Sequence, residues 1–130
     1  MSTYSLQDID LMVPLEFERW AIRAMGVAGY RVWGARVTGD AGADGICTKG
    51  NMSVIVQCKH TNYPDRAAPI QAVQDLIRAR EAYSLPGKLK LVALTNAERF
   101  PDEAAEIARQ NGIVLVGRKN LLDWIEYSDL

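Results

Sequence analysis

The chain has 130 residues, of which 48% are hydrophobic and 24% charged, and its formal net charge is −1. This length and apolar content predict a single domain over residues 1–130, with residues 1–12 as a lead-in segment. No apolar run approaches the roughly 20 residues needed to cross a bilayer, and the first residues lack the pattern of a signal peptide. We therefore expect a cytoplasmic protein with no membrane partner. The near-neutral charge argues against strong nucleic-acid binding through bulk charge, although a local basic patch is sufficient for DNA.

The sequence argues against a zinc site and against a disulfide. The chain contains two cysteines, Cys47 and Cys58, and one histidine, which cannot complete a four-ligand zinc site. A cytosolic chain keeps such thiols reduced. We interpret both cysteines as small buried hydrophobic residues.

The first predicted helix begins at Pro14, because proline is tolerated in the first turn, and it ends at Gly26 and Gly29. A single buried stripe along this helix is indicated by the spacing of its apolar residues. These residues are Phe17, Trp20, Ala21, Ala24 and Met25. The pattern predicts that one face of the helix packs against the core.

Charged side chains on the same helix are candidates for a functional site. Glu16 and Glu18 lie about 200° apart around the helix axis, since one turn takes roughly 3.6 residues, so they cannot both face one site. Arg19 and Arg23 are four residues apart and share a face that could contact phosphate. An ordinary solvated face explains the same spacing and is the more common outcome.

The middle of the chain predicts three strands. The first covers Tyr30–Val37, and a glycine-rich loop follows it. A hairpin then consists of a short strand from Gly45, a turn over Lys49–Asn51 and a second strand over Met52–Lys59. The second strand is almost continuously apolar, which is typical of a central strand covered on both faces.

The polar residues at the ends of this hairpin point to phosphodiester chemistry. Gln57 and Lys59 are two residues apart on a strand and therefore share a face. Asp44 precedes the other strand, so pairing of the two strands brings its carboxylate near both. An acid, a neutral oxygen ligand and a cation at one strand end are what a magnesium-dependent phosphodiesterase needs.

The rest of the chain alternates helices and strands. The predicted elements are a helix opened by Pro69 and reaching Tyr83, a strand over Lys88–Thr95, a helix from Pro101 to Gln110, a strand over Ile113–Gly117 and a last helix capped by Asn120. Such alternation predicts an α/β fold whose mixed sheet has right-handed crossovers and helices on both faces.

Three segments, Phe17-Glu18, Asp44-Gly45 and Val56-Gln57-Cys58-Lys59, carry a family resemblance. With them, the chain from about Val13 to about Trp124 resembles the Mrr-like restriction endonucleases of the PD-(D/E)xK nuclease superfamily. The resemblance implies a restriction-endonuclease-like fold, a mixed β-sheet core flanked by helices on both faces. It also implies a metal-dependent DNA endonuclease that acts in restriction or defence, or as the nuclease module of a larger assembly.

The resemblance implies a role for each candidate catalytic residue. Asp44 is the expected central metal ligand, and Glu18 completes the site directly or through water. Gln57 offers a neutral carbonyl oxygen where many relatives carry glutamate, and glutamine here is usual in the Mrr-like branch. Lys59 is expected to orient or activate the attacking water. The implied cofactor is Mg²⁺, with Mn²⁺ as a substitute.

The expected partners are DNA, a second copy of the chain, because one active site cuts one strand, and a separate recognition subunit or domain. Candidate nucleic-acid contacts are Arg19, Arg23, His60, Arg66, Gln74 and Arg78. Gln74 follows from the resemblance, which brings the start of its helix near the scissile site, although an ordinary amphipathic helix explains it as well. Two other functions stay open: a structure-specific nuclease of the Holliday-junction type, and a non-catalytic binding or assembly module with the same fold.

Overall fold

The computed structural model describes residues 4–33, 44–85 and 87–124. The glycine-rich loop before Asp44 and the predicted strand residues beyond Trp33 lie outside this part of the chain. The elements in chain order are α1 (Leu6–Asp10), α2 (Pro14–Val27), β1 (Arg31–Trp33), β2 (Gly45–Lys49), β3 (Met52–Lys59), α3 (Gln71–Ala82), β4 (Lys88–Thr95), α4 (Asp102–Asn111), β5 (Ile113–Val116) and a 3₁₀ helix (Arg118–Asp123).

The strands form a mixed sheet in the order β1-β2-β3-β4-β5. β2 pairs antiparallel with both β1 and β3, whereas β3, β4 and β5 run parallel. The register places Gly45 opposite Val56 and Lys59 opposite Thr95. The start of β2 and the ends of β3 and β4 therefore lie at the same end of the sheet. The candidate site is at this end.

Helices cover both faces of the sheet, which confirms the predicted α/β architecture. Alternating side chains of β3 separate two apolar clusters, because successive side chains of a strand point to opposite faces. Val54, Val56 and Cys58 pack with residues of α1, α2 and the 3₁₀ helix. Ile55 packs with residues of α3 and α4 on the other face.

Helix α2 forms as the sequence predicts, with one correction at its end. The side chain of Glu16 accepts a hydrogen bond from the Val13 backbone N–H at 3.0 Å, which satisfies a donor at the helix start. Gly26 does not end the helix, which continues to Val27. Gly29 has φ +97°, a conformation that favours glycine, and the chain leaves the helix there.

Two short helices differ from the prediction made from sequence. Residues of the lead-in segment form α1, where Ser5 and Asp8 make a reciprocal capping box and Ile9 is fully buried. The prediction that Asn120 caps the last helix is wrong. That element is a 3₁₀ helix that begins at Arg118, so Asn120 lies inside it. No helix in the described ranges is both long enough and apolar enough to span a membrane.

Candidate active site

Asp44 lies immediately before β2 and is held by the backbone of β3. Its N–H donates to the Val56 carbonyl at 2.9 Å, and its Oδ2 accepts from the Cys58 N–H at 2.7 Å. The Asp44 side chain thus accepts from a backbone N–H that would otherwise bond to a neighbouring strand. This contact places the Asp44 carboxylate beside the residue that separates Gln57 from Lys59.

The close approach of α2 to this strand end depends on a glycine. A Cβ atom added at Gly45 would lie 2.2 Å from Ile22 Cδ1 and 3.0 Å from Ile22 Cγ1. The missing side chain leaves the space into which α2 inserts Ile22. Gly45 therefore allows Glu18, which lies on the same helix, to come near Asp44.

Glu18 and Asp44 line one cleft. The cleft has a volume of about 330 Å³, and Glu18 is only 8% exposed to solvent. Burial raises the pKa of the Cys58 thiol well above its usual value, and the nearby charges of Asp44 and Glu18 raise it further. Both carboxylates therefore disfavour ionisation of the same thiol. The other lining residues are Leu15, Arg19, Ile22 and Arg23.

Gln57 and Lys59 extend from the opposite face of β3, toward α3. The Asp75 carboxylate accepts from Lys59 Nζ at 3.1 Å and from Gln57 Nε2 at 3.3 Å, both through Oδ2. Its Oδ1 accepts from Arg78 Nη2 at 2.8 Å. Asp75 was not among the candidate residues. Nothing in the local sequence indicates that it meets β3.

The four predicted catalytic residues lie at the same end of the β2–β3 hairpin, in two sets. Asp44 and Glu18 share the cleft beside α2, and Gln57 and Lys59 share the Asp75 carboxylate beside α3. The sets adjoin at Cys58, whose backbone N–H binds Asp44. Among the described residues, no three His, Cys, Asp or Glu side chains are grouped as metal ligands. Carboxylate and amide oxygens are hard ligands of the kind that suits Mg²⁺, but the two carboxylates lie on one face of β3 and Gln57 on the other.

Arg19 and Arg23 are exposed and line two clefts. One is the cleft that contains Glu18 and Asp44, and the other is a groove of about 680 Å³ between α1 and α2. Two cations thus stand beside the candidate catalytic carboxylates. The structure does not test whether they contact phosphate, which stays a prediction.

The remaining candidate nucleic-acid contacts have varied surroundings. His60 Nε2 lies 2.8 Å from the Ile9 carbonyl, and its ring meets the edge of Phe17 at a centroid distance of 5.4 Å. The histidine therefore attaches the end of β3 to α1 and α2. Arg66 lies over a tyrosine ring, Arg78 pairs with Asp75, and Gln74 is exposed on α3. Their contacts with DNA also stay predictions.

A polar network holds the loop that follows Lys59. Arg118 donates to both Asp10 oxygens, at 2.7 and 2.9 Å, and Asn96 Nδ2 donates to Asp10 Oδ1 at 3.0 Å. Asn96 also binds the N–H and carbonyl of Thr61, at 2.8 and 2.9 Å. The Arg118 hydrogen bonds lower the pKa of Asp10. The network joins four distant segments, and for this reason no local pattern predicted it.

Comparisons with known proteins concern the sequence family and the fold of the chain. Residues 9–125 match the sequence model of the Mrr catalytic domain, described as restriction endonuclease. A solved structure of MspJI restriction endonuclease in complex with a 27-mer oligonucleotide is similar, with a TM-score of 0.54 and 21% sequence identity. The similarity covers 81% of this chain but 26% of that one, so the chain spans about a quarter of its neighbour's length. At this identity the likeness shows a shared fold. A comparison with curated proteins found no match.

Proposed function

The chain belongs to the restriction endonuclease family of the Mrr catalytic domain, and we propose that it is a divalent-metal-dependent DNA endonuclease that hydrolyses phosphodiester bonds. One observation carries the proposal. The Asp44 carboxylate accepts from the backbone N–H of Cys58, between Gln57 and Lys59, so an acid lies at the same strand end as an amide and an ammonium. We expect a role in restriction or defence, or as the nuclease module of a larger assembly.

Mg²⁺ is the proposed cofactor, and Mn²⁺ is expected to substitute. Asp44, Glu18 and the Gln57 carbonyl oxygen would hold the ion. When bound, a divalent cation offsets the charge of the phosphoryl group and polarises water. The amide at position 57 brings one negative charge fewer than a glutamate, so we expect weaker metal binding than at a site with three acidic ligands.

Lys59 is the proposed group that orients the attacking water and offsets charge that develops on phosphate. An ammonium has three donors, and Lys59 Nζ donates to Asp75 at 3.1 Å. The lysine is held at the strand end with its side chain 28% exposed, so it is anchored but accessible to substrate. Preorganised donors of this kind commonly contribute about 10²–10³ in rate.

DNA is the proposed substrate. Arg19 and Arg23 line the cleft of the candidate carboxylates, where they would contact phosphate oxygens on either side of the scissile bond. We also propose that two copies act together to cut both strands, and that a separate subunit or domain supplies sequence recognition.

The test is cleavage of supercoiled plasmid with Mg²⁺, with EDTA, and after substitution. We expect nicking that requires the metal and disappears in Asp44→Ala and Lys59→Ala. Asp102→Ala and Lys119→Ala are matched controls at exposed positions, and both should cut normally. A folded wild-type protein that cuts with neither Mg²⁺ nor Mn²⁺ would refute the proposal and favour a non-catalytic module. Preference for branched over linear duplex would instead favour the structure-specific nuclease.

A further inference from the structure

Asp75 is the residue of α3 that joins both members of the Gln57–Lys59 pair. Its side chain is only 15% exposed, and its two oxygens accept from an amide, an ammonium and a guanidinium. These three donors come from β3 and from α3 itself. Resting on the proposed function, we propose that Asp75 is a positioning residue that orients Gln57 and Lys59, and that its presence requires an amide at position 57.

The charge of Asp75 fixes the direction of the Gln57 amide. An ionised carboxylate only accepts hydrogen bonds, so the group that faces it must be a donor. Gln57 therefore turns Nε2 toward Asp75, at 3.3 Å. Because the amide is planar, its carbonyl oxygen then points away from Asp75. Asp75 thus sets which atom of Gln57 is presented as the oxygen ligand.

The same contact explains why glutamine stands at position 57. A carboxylate there would face the Asp75 carboxylate at hydrogen-bond distance, and two like charges so close repel each other. With glutamine, the contact becomes a charge-assisted hydrogen bond. Position 57 and position 75 are therefore matched: an acid at one goes with an amide at the other.

Asp75 also restrains Lys59. The ammonium lies 3.1 Å from Asp75 Oδ2, and that carboxylate is held in turn by Arg78. A flexible lysine side chain loses much of its rotamer freedom in such a contact. The ammonium is thereby kept at the strand end, where the proposed reaction needs it. Asp75 itself touches no substrate in this scheme.

The decisive experiment is a double-mutant cycle on unfolding, since it does not depend on nuclease activity. Gln57→Glu, Asp75→Asn and the double variant are near-isosteric, so packing is conserved. We expect Gln57→Glu alone to raise the unfolding equilibrium constant by about tenfold or more, and to have little effect in the Asp75→Asn background. Additive effects would overturn the proposal. If Gln57→Glu alone prevents folding, recovery of folded protein in the double variant supports the pair, and failure to recover overturns it.

A matched control and a kinetic readout complete the test. Glu106→Gln neutralises an acid on the exposed surface of α4 that also binds a glutamine and an arginine, and it should be additive with Gln57→Glu. In plasmid cleavage we expect Asp75→Asn to lower kcat about tenfold or more with KM nearly unchanged, since Asp75 acts through Lys59 and Gln57. A change in KM alone, or none in kcat, would refute the positioning role. If the wild type does not cut at all, the proposed function and the positioning role fail together, while the unfolding cycle still decides the pairing of positions 57 and 75.

Discussion

The two faces of β3 near Lys59 position their polar side chains in different ways. On the α2 face, Asp44 is held by backbone groups, and Glu18 is 8% exposed within a packed cleft. On the α3 face, Gln57 and Lys59 are held by one side chain, Asp75. The first set depends on how closely a helix approaches a strand, and the second depends on a balance of charges.

The two faces should therefore respond differently to substitutions. Substitutions that alter backbone approach should disturb the acids of the α2 face through stability. Substitutions that alter charge should disturb the α3 face through the hydrogen bonds and ion pair of Asp75. If the two sets form one active site, however, loss of either should stop the same reaction.

The largest expected effect is therefore on cleavage. Asp44→Asn should lower kcat by about 10³-fold and Lys59→Met by about 10²-fold, the usual range for groups that stabilise transition-state charge. The asparagine can still accept from the Cys58 N–H, so the fold should persist. The double variant should cut no more slowly than Asp44→Asn alone, because residues that act as a unit are not additive.

Single-turnover cleavage of plasmid measures these rates, and circular dichroism checks that each variant is folded. Losses that multiply, to about 10⁵-fold in the double variant, would mean that the two faces act independently. In that case the cleft beside α2 and the pair beside α3 would not belong to one catalytic centre.

The approach of α2 is tested by Gly45→Ala. The added methyl group would lie 2.2 Å from Ile22 Cδ1, so the isoleucine or the helix must shift. Overpacking of this kind commonly costs about 1–3 kcal/mol of unfolding free energy. Combining it with Ile22→Val, which removes the nearest methyl group, should restore part of the loss in urea unfolding. An unchanged or raised stability for Gly45→Ala would show that the glycine is not needed for this contact.

Much of the fold was predictable because local patterns determine it. β3 and β4 occupy the predicted ranges, Met52–Lys59 and Lys88–Thr95, since continuous apolar runs end at turn residues there. The buried stripe of α2 was also predicted correctly, because helical spacing alone identifies it. The last helix was predicted wrongly. It begins at Arg118, whose hydrogen-bond partner Asp10 lies 108 residues away in the sequence.

Local patterns likewise determine only part of the candidate site. Asp44, Gln57 and Lys59 could be chosen from sequence, since the pairing of adjacent strands follows from a short turn and a period of two. Asp75 could not be chosen, because its contact depends on the angle at which α3 crosses β3. Helical periodicity reports which residues are apolar, and it does not report which polar residue at the margin of the stripe meets a strand end.

A smaller effect is expected at the network behind the loop that follows Lys59. Arg118→Met removes both bonds to Asp10 and should cost about 1.5 kcal/mol in urea unfolding at pH 7. Because Arg118 lowers the pKa of Asp10 below 3.8, this stabilisation is complete above that value and is lost as pH falls below it. The difference between variant and wild type should therefore shrink at pH 3. Arg109→Met, which breaks a fully exposed ion pair, is the control and should have little effect at either pH.

The smallest effect concerns the buried thiols on the α2 side of the sheet. Their ionisation depends on how well water is excluded there. Burial raises the pKa of Cys47 from 9.0 to about 12. Between these values the unfolded chain releases the thiol proton and the folded chain retains it, so stability should fall as pH rises above about 9. Relative to Cys47→Ala, the wild type should lose about 1 kcal/mol of unfolding free energy between pH 7.5 and 9.5. A parallel pH dependence for the two proteins would mean that water reaches this thiol, and the carboxylates of the α2 face would then be as solvated as the pair beside α3.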